Sequence, residues 1–149
     1  MPLLELADDS AQQVRGYLND GDLYVYREVD AKVGVVLAIP RDAGTVELKA
    51  VAVDATRQGR GVGRRMLRAV LNALRLRGVS RVMVGTASSS IGTLAFYQKA
   101  GFRVVEIERD YFREDRGYPR DLREDGIPVR DMVWMDQWLE GDRPSTSSP

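Results

Sequence analysis

The most informative segment of the chain is Val51-Ala-Val-Asp-Ala-Thr-Arg-Gln58-Gly-Arg-Gly61-Val-Gly63-Arg64. An apolar strand runs into a turn with three alternate glycines, and a helix begins immediately after it. Glycines let a backbone approach a bulky anion and adopt positive φ angles. The free N–H groups at the helix start, with the positive end of the helix dipole, then form a phosphate cradle. The pattern therefore predicts a site for a phosphate-bearing ligand.

Two common nucleotide motifs do not fit the spacing of this turn. The Rossmann fingerprint requires Gly-x-Gly-x-x-Gly, but the count from Gly59 and Gly61 ends at Arg64. The Walker A motif requires Gly-Lys-Ser/Thr, whereas Gly63 is followed by two arginines. A plain strand-to-helix turn rarely needs three glycines. The arginines that could add positive charge at the rim of the turn are Arg60, Arg64 and Arg65.

The strand that enters the turn, Thr45–Val53, changes the parity of its apolar positions half-way along. Its large apolar residues are even-numbered at first and odd-numbered later: Val46, Leu48, Val51 and Val53. One additional residue, a β-bulge near Lys49-Ala50, would produce this change. A strand buried on both faces is the alternative, because parity then carries little meaning.

The remaining periodicity predicts further strands and helices on both sides of the turn. The helix that follows the turn covers Val62–Arg77 and ends at Gly78. The other predicted elements are a helix that begins at Ser10 and ends at Gly21, strands over 22–30, 31–41, 81–86, 102–107 and 129–138, and a second helix over 91–99. This order predicts an α/β (α+β) fold with a mixed, mostly antiparallel central sheet and helices on both faces.

Two segments near the end of the chain differ in composition from the rest. Glu108–Pro128 is dense in charge, Gly and Pro, which predicts a long surface arm. The arm either closes over a substrate or forms a subunit contact. Gly141–Pro149 is expected to be a disordered tail, so we expect a single domain over residues 1–140.

The amino-acid composition excludes several classes of function. The 22 basic and 22 acidic residues give a net charge of zero, so no overall field favours nucleic acid or a membrane surface. No apolar run has membrane-spanning length, and the N-terminus does not resemble a secretory signal, so a cytoplasmic protein is expected. With neither Cys nor His, the chain has no Cys/His zinc site and no Ser-His-Asp triad, and no metal is expected. A general base must be Asp, Glu, Tyr, Lys, a chain terminus or water.

A second motif gives the glycine turn a family context. Gln58-x-x-Gly61-x-Gly63 after a Val-Ala-Val strand resembles the pyrophosphate-binding loop of the GNAT (GCN5-related) N-acetyltransferases. Ala95-Phe-Tyr97-Gln-Lys-Ala-Gly101-Phe102 resembles the Tyr-x-Lys-x-Gly-Phe element of the same family. The two motifs stand in the family's order, and the close resemblance covers Val46–Phe112. It implies a GNAT-like acyl-CoA N-acyltransferase fold and direct transfer of the acetyl group of acetyl-CoA to a primary amine (acyltransferase class EC 2.3.1).

The resemblance also implies which residues bind the cofactor. In the family, the backbone of the bulged strand holds pantetheine, and the glycine loop holds the pyrophosphate. The corresponding residues here are Val51, Ala52, Val53, Gln58, Gly59, Arg60, Gly61, Val62, Gly63 and Arg64. Many members use an Asn before the second helix to contact pantetheine, whereas this chain has serines, so Ser90 or Ser88 would make that contact and Tyr97 would also touch CoA. Helix N-capping is the alternative role for the serines.

Two residues are implied as catalytic. Tyr97 matches the family tyrosine beside the CoA sulfur and is the candidate acid, with packing against Phe96 as the alternative. Glu47 lies on the strand that leads to the bulge, where many members place a glutamate, and is the candidate base, directly or through water. A solvated ion pair with Lys49 is its alternative role. Weaker candidates for the base are Glu28, Asp54 and Asp131.

Two functions are compatible with these motifs. The first is an acetyl-CoA-dependent N-acetyltransferase, and the second is a non-catalytic acyl-CoA-binding sensor or interaction module. The expected partners are acetyl-CoA and an amine acceptor, together with a second copy of the chain, since homodimers are common in the family. The acceptor itself is a small molecule or a protein amine that the sequence does not specify, because the family varies its acceptor site.

Overall fold

The computed structural model describes residues 3–6, 21–28, 31–54 and 61–139. It confirms the predicted fold class, a mixed α/β protein with a seven-stranded, mostly antiparallel sheet. The chain divides into two compact units, Met1–Val82 with Trp138–Pro149 and Met83–Gln137. The single domain over residues 1–140 and the disordered tail stay predictions, since residues 140–149 lie outside the described part. No described helix is both long and apolar enough to cross a membrane.

The first unit contains four strands and one helix. They are β1 (Leu3–Leu6), β2 (Asp22–Glu28), β3 (Ala31–Asp42), β4 (Thr45–Val53) and α1 (Val62–Leu76). The four strands are neighbours in chain order, and each pair is antiparallel. The sequence did not predict β1, and the predicted helix that begins at Ser10 lies outside the described residues.

Strand β3 is the centre of this unit because its run of branched residues pairs on both edges. Its side chains at Val33, Val36 and Leu37 are almost completely buried. Helix α1 buries the stripe that its 3.6-residue period predicts: Val62, Met66, Leu67, Val70 and Leu74. The helix approaches β3 closely at Gly34, where an added Cβ would overlap the Met66 sulfur and lie 2.9 Å from the carbonyl oxygen of Ala52. This glycine therefore sets the distance between α1 and the sheet.

The predicted bulge in β4 is confirmed. Leu37 pairs with Ala50 and Ala38 pairs with Leu48, so Lys49 is the additional residue. The alternative explanation also holds for the first half of the strand, where the residues on both faces are buried from Thr45 to Leu48. Beyond the bulge, from Val51 to Asp54, the strand is half-buried or exposed.

The second unit contains the remaining sheet strands, one helix and the arm. Its elements are β5 (Arg81–Ala87, which begins in the first unit), α2 (Ile91–Lys99), β6 (Arg103–Glu108), β7 (Arg123–Glu124), β8 (Ile127–Pro128) and β9 (Met132–Trp138, which ends in the first unit). Strand β9 lies between β5 and β6. The helix α2 has its predicted bounds, whereas β6 and β9 begin later than predicted. The predicted arm contains a short 3-10 helix and the β7–β8 hairpin.

Candidate active site

Helix α1 begins without a side-chain cap. Gly61 is its N-cap residue with φ of 76°, a left-handed conformation that glycine adopts without strain. No side chain caps the first turn, and no acidic residue occurs in it. The first-turn N–H groups from Val62 to Arg64 therefore suit an external anion. Of the residues that the sequence assigned to this cradle, Gln58, Gly59 and Arg60 lie outside the described part.

The arginines after Gly61 have different environments. Arg65 makes two hydrogen bonds to Glu28, from Nε to Oε2 at 2.7 Å and from Nη2 to Oε1 at 2.9 Å. The buried Tyr26 hydroxyl donates to the same carboxylate at 2.8 Å. Arg65 is therefore held by the sheet, and its hydrogen bond to Glu28 raises its pKa. Arg64, in the first turn of α1, is exposed and forms no ion pair with another described residue, so it suits a ligand phosphate better than Arg65 does.

The strand residues assigned to pantetheine follow the bulge of β4. Val51, Ala52 and Val53 pair with β3 through Val36, Val35 and Gly34, respectively. The side chain of Ala52 is exposed and those of Val51 and Val53 are half-buried. The side chains of β4 are thus more exposed beyond the bulge, at the residues that the family resemblance assigns to the pantetheine arm.

The candidate base, Glu47, is a buried carboxylate that is paired with two cations. It is 5% exposed, and its Oε1 accepts a hydrogen bond of 2.6 Å from Arg41 Nε and also contacts Arg41 Nη2. Lys49 Nζ lies 3.8 Å from its Oε2, which is an ion-pair distance rather than a hydrogen bond. The sequence suggested Lys49 as a partner but missed Arg41, although a tight hairpin over Asp42-Ala-Gly44 would place residues 41 and 47 close together.

The three weaker candidates for the base have other contacts. Glu28 is bound to Tyr26 and Arg65. Asp54 is exposed just beyond β4, and its N–H donates to the carbonyl of Val33. Asp131 accepts a hydrogen bond of 2.9 Å from the backbone N–H of Asp110.

The candidate acid, Tyr97, is buried against aromatic rings in the second unit. Its ring makes edge contacts with Phe96 and Phe102 at centroid distances of 5.3 and 5.5 Å. Burial raises its pKa to about 12, so the phenol keeps its proton at neutral pH. Its hydroxyl bonds to no described residue, and no fully buried side-chain polar atom in the described part lacks a partner. The hydroxyl is therefore accessible to a ligand.

The serines before α2 are not simple helix caps. Ser90 is the N-cap residue, but its hydroxyl donates instead to Glu124 Oε1 at 2.6 Å. The buried Ser89 hydroxyl donates to the same oxygen at 3.1 Å. The backbone N–H of Ser88 donates to the carbonyl of Asp131, and the Ser88 hydroxyl has no partner among the described residues. The sequence missed Glu124, because no local pattern connects it to residues 35 positions earlier.

The arm has a packed interior. Tyr111 lies within aromatic contact of Phe112, Tyr118 and Trp134, at centroid distances from 5.0 to 6.4 Å. The guanidinium of Arg116 lies 4.5 Å from the centre of the Tyr111 ring, in cation–π geometry. The arm is therefore ordered by its own side chains and by the Glu124 bonds to the serines.

Comparison with known proteins places the chain in a family. The model described as "Acetyltransferase (GNAT) family" matches residues 4–102, roughly two thirds of the chain. The chain belongs to the GNAT acetyltransferase family. The family expected from the glycine turn and the Tyr97 element is thus confirmed, as is its acetyl-CoA-dependent N-acetyltransferase function.

Three GNAT relatives show how much of the chain the likeness covers. The uncharacterized N-acetyltransferase YvbK of Bacillus subtilis is 37% identical over 131 residues, which are 88% of this chain and 83% of the relative. A B. subtilis acetyltransferase solved in complex with CoA has a TM-score of 0.82 and 31% identity, over 93% of this chain and 99% of that one. A GNAT acetyltransferase from Elizabethkingia anophelis, solved with acetyl-CoA bound, has a TM-score of 0.80 and 28% identity, over 93% of this chain and 98% of that one.

Proposed function

We propose that this GNAT protein transfers the acetyl group of acetyl-CoA directly to a primary amine, without a covalent acyl-enzyme. The observation that carries the proposal is the start of α1, where a left-handed glycine is followed by an uncapped first turn with no acidic residue. Such a turn binds phosphate through its N–H groups and dipole. The cofactor pyrophosphate would lie there, against Gln58–Arg64, with Arg64 adding charge at the rim.

The pantetheine arm would follow β4 at Val51–Val53, where the residues are half-buried or exposed. Of the two candidate serines, Ser88 is the better one for the pantetheine contact, because the Ser90 hydroxyl is already bound to Glu124. Replacement of Ser88 by Ala should then weaken CoA binding, and replacement of Ser90 by Ala should loosen the arm.

Tyr97 would stabilise the departing sulfur by donating a hydrogen bond. Full proton transfer from a phenol of pKa about 12 to a thiolate of pKa about 8.5 is uphill by about 5 kcal/mol. The phenol therefore acts as a neutral donor to the developing negative charge on sulfur, and the proton that the thiolate finally takes comes from solvent. Backbone N–H groups at the β4 bulge would likewise donate hydrogen bonds to the thioester carbonyl oxygen, which becomes negatively charged during attack.

Glu47 would receive the proton that the amine loses. An alkylamine with a pKa of about 10.4 is mostly protonated near neutrality, so a proton must leave before nitrogen attacks the carbonyl carbon. Oε2 of Glu47 is the suitable atom, because Oε1 already accepts from Arg41. A water molecule hydrogen-bonded to Oε2 provides the same route when the amine does not reach the carboxylate.

The test is a turnover assay of the purified protein with acetyl-CoA and a panel of amines: polyamines, amino acids, aminoglycosides and peptides with free N-termini. Release of free thiol together with an acetylated amine, identified by mass spectrometry, would support the proposal. Binding of CoA by calorimetry without turnover on any amine would favour the sensor alternative. Absence of CoA binding by folded protein would exclude both functions.

The cellular setting is part of the proposal. Because the reaction consumes acetyl-CoA, we place the protein in the cytoplasm, and we propose that it works as a homodimer. Fractionation of the source cells, with detection of the protein by antibody, tests the location.

A further inference from the structure

Helix α2 is short and lightly packed for an element that carries the candidate acid. All nine of its residues belong to the described part, and Tyr97 is the one buried among them, whereas Ile91 in the first turn is 60% exposed. An isolated helix of this length is marginal in water, and most of the stability of a helix in a protein comes from tertiary packing. Because one buried side chain supplies little packing, the position of α2 depends on what fastens its two ends.

Each end of α2 is fastened by one side chain from elsewhere in the second unit. At the C-terminal end, Gln137 Nε2 donates to the carbonyl oxygen of Ala100 at 2.9 Å. At the N-terminal end, Glu124 Oε1 accepts from the hydroxyls of Ser90 and Ser89, at 2.6 and 3.1 Å. Glu124 lies on β7, so it attaches the arm to the start of α2.

This attachment takes the place of an ordinary helix cap. A serine at the N-cap position usually accepts a hydrogen bond from an N–H group of the first turn, but the Ser90 side chain makes no such bond. Its hydroxyl donates instead to a carboxylate, and such charge-assisted bonds are stronger than those between neutral groups. The negative charge of Glu124 also lies near the positive end of the helix dipole. The start of α2 is therefore stabilised by a residue of the arm rather than by a local cap.

The second serine makes the attachment costly to lose. Ser89 is 1% exposed, and Glu124 is the acceptor of its hydroxyl. Without the carboxylate, this buried donor would lose its acceptor, which disfavours the present conformation of the segment before α2. Removal of Glu124 should therefore shift the first turn of the helix rather than leave it unchanged.

We propose that Glu124 is a positioning residue for acetyl transfer. It holds the first turn of α2 through the two serines, and the helix in turn holds the Tyr97 hydroxyl beside the departing sulfur. This role rests on the proposed function, in which Tyr97 donates a hydrogen bond to that sulfur. Because a misplacement of about 1 Å can cost on the order of 100-fold in rate, a helix that is released at one end loses catalytic precision.

Steady-state kinetics of Glu124→Ala test the effect on transfer. The variant should lower kcat by about 5- to 20-fold. The Kd for CoA should change by less than about threefold, since the turn proposed to bind the pyrophosphate belongs to α1. Glu124→Gln should keep more than about half of the wild-type kcat, because its amide oxygen still accepts from both hydroxyls. Glu114→Ala is the control within the arm, since it removes an exposed carboxylate paired with Arg120, and it should leave kcat unchanged. Equal kcat values for Glu124→Ala and the control overturn the inference.

A double-mutant cycle separates positioning from a general loss of structure. If Glu124 acts through the Tyr97 hydroxyl, Glu124→Ala should have little further effect on kcat in protein that already carries Tyr97→Phe. A merely structural role would lower kcat by the same factor in both backgrounds. That result would overturn the positioning role.

Hydrogen exchange tests the attachment without any turnover. The backbone amides of residues 91–97 should exchange about tenfold or more faster in Glu124→Ala than in the wild type, Glu124→Gln or Glu114→Ala. Equal exchange in Glu124→Ala and the wild type would show that Glu124 does not hold α2, whatever the activity. Faster exchange, in a protein whose wild type acetylates no amine, would instead contradict the proposed function and the catalytic role of Glu124 with it.

Discussion

Two hydrogen bonds fasten Arg65 on α1 to Glu28 on β2, with lengths of 2.7 and 2.9 Å. The Glu28 carboxylate also accepts a hydrogen bond from the hydroxyl of Tyr26, a residue that is only 1% exposed. The first turn of α1, where the cofactor is proposed to bind, is therefore held against the sheet by Arg65. The neighbouring Arg64 forms no ion pair with a described carboxylate, so its guanidinium is suited to bind a phosphate.

Removal of the Glu28 carboxylate should destabilise the protein. Glu28→Ala leaves the buried Tyr26 hydroxyl without its acceptor, which should lower the free energy of unfolding by about 1–3 kcal/mol. Glu114→Ala is the control, because Glu114 is an exposed carboxylate paired with the exposed Arg120. The control should change the free energy by less than about 0.5 kcal/mol. Urea unfolding measures both, and equal losses would contradict the assigned role of Glu28.

Removal of Arg64 should weaken cofactor binding without affecting the fold. Arg64→Ala should raise the Kd for CoA by about 3- to 10-fold and reduce its dependence on salt, because one partly solvated charge contact to phosphate is lost. Arg68→Ala, which removes an exposed arginine one turn later, should have a smaller effect. Titration calorimetry at two salt concentrations compares the variants. Equal affinities of the two variants would place the phosphates elsewhere.

Removal of the Tyr97 hydroxyl should affect turnover alone. Tyr97→Phe keeps the ring contacts with Phe96 and Phe102, so the Kd for CoA and the unfolding midpoint should stay close to wild type. Loss of a hydrogen bond to the leaving sulfur should lower kcat by about 10- to 100-fold. Steady-state kinetics with saturating acetyl-CoA measure the effect. A variant with wild-type kcat would assign Tyr97 to packing.

Two buried tyrosines should make the protein sensitive to alkali. Burial raises the pKa of Tyr97 to about 12, and burial with a hydrogen bond to Glu28 does the same for Tyr26. An unfolded tyrosine ionises near pH 10, so the unfolded chain loses these protons first as pH rises. Their contribution is complete below about pH 10, and the free energy of unfolding should fall between about pH 10 and 12. Urea unfolding across this range should show a smaller fall for Tyr97→Phe.

The close approach at Gly34 should tolerate no side chain. Gly34→Ala places a Cβ against the Met66 sulfur and the Ala52 carbonyl, which should cost about 1–3 kcal/mol of unfolding free energy. Gly92→Ala is the matched control, because a Cβ there meets no atom within 4 Å and alanine favours helix α2. The control should be neutral or stabilising by up to about 1 kcal/mol. Thermal unfolding measures both variants. Equal shifts of the two midpoints would contradict the close approach of α1 to the sheet at Gly34.

The sequence predicted those elements whose signals are local. Strand β4, the start of α1 and both ends of α2 agree with the structure, because glycine turns and apolar periodicity mark them. The bulge at Lys49 was visible as a parity change. In contrast, β1 is only four residues long, and its evidence is its pairing with β2 about twenty positions later.

The candidate site was predictable to a similar extent. The glycine turn and Tyr97 were predicted from motifs, and Glu47 was predicted from its place on the bulged strand, where the family resemblance implies a glutamate; their roles stay predictions. The Arg41 partner of Glu47 and the attachment of Glu124 to Ser89 and Ser90 were missed. The hairpin over residues 42–44 would have placed Arg41 near Glu47. In contrast, the bonds from Ser89 and Ser90 to Glu124 leave no pattern in either segment, because more than thirty residues separate their partners.

The order of glycines, apolar residues and aromatic residues was enough by itself to define the family, the cofactor and the strand-to-helix turn, since backbone conformation and helix periodicity are short-range properties. Only the tertiary structure decided which charged side chains form ion pairs within the protein. Arg65 and Arg64 are adjacent and chemically identical, and long-range packing alone brings Glu28 to Arg65 and leaves Arg64 without an ion pair among the described residues.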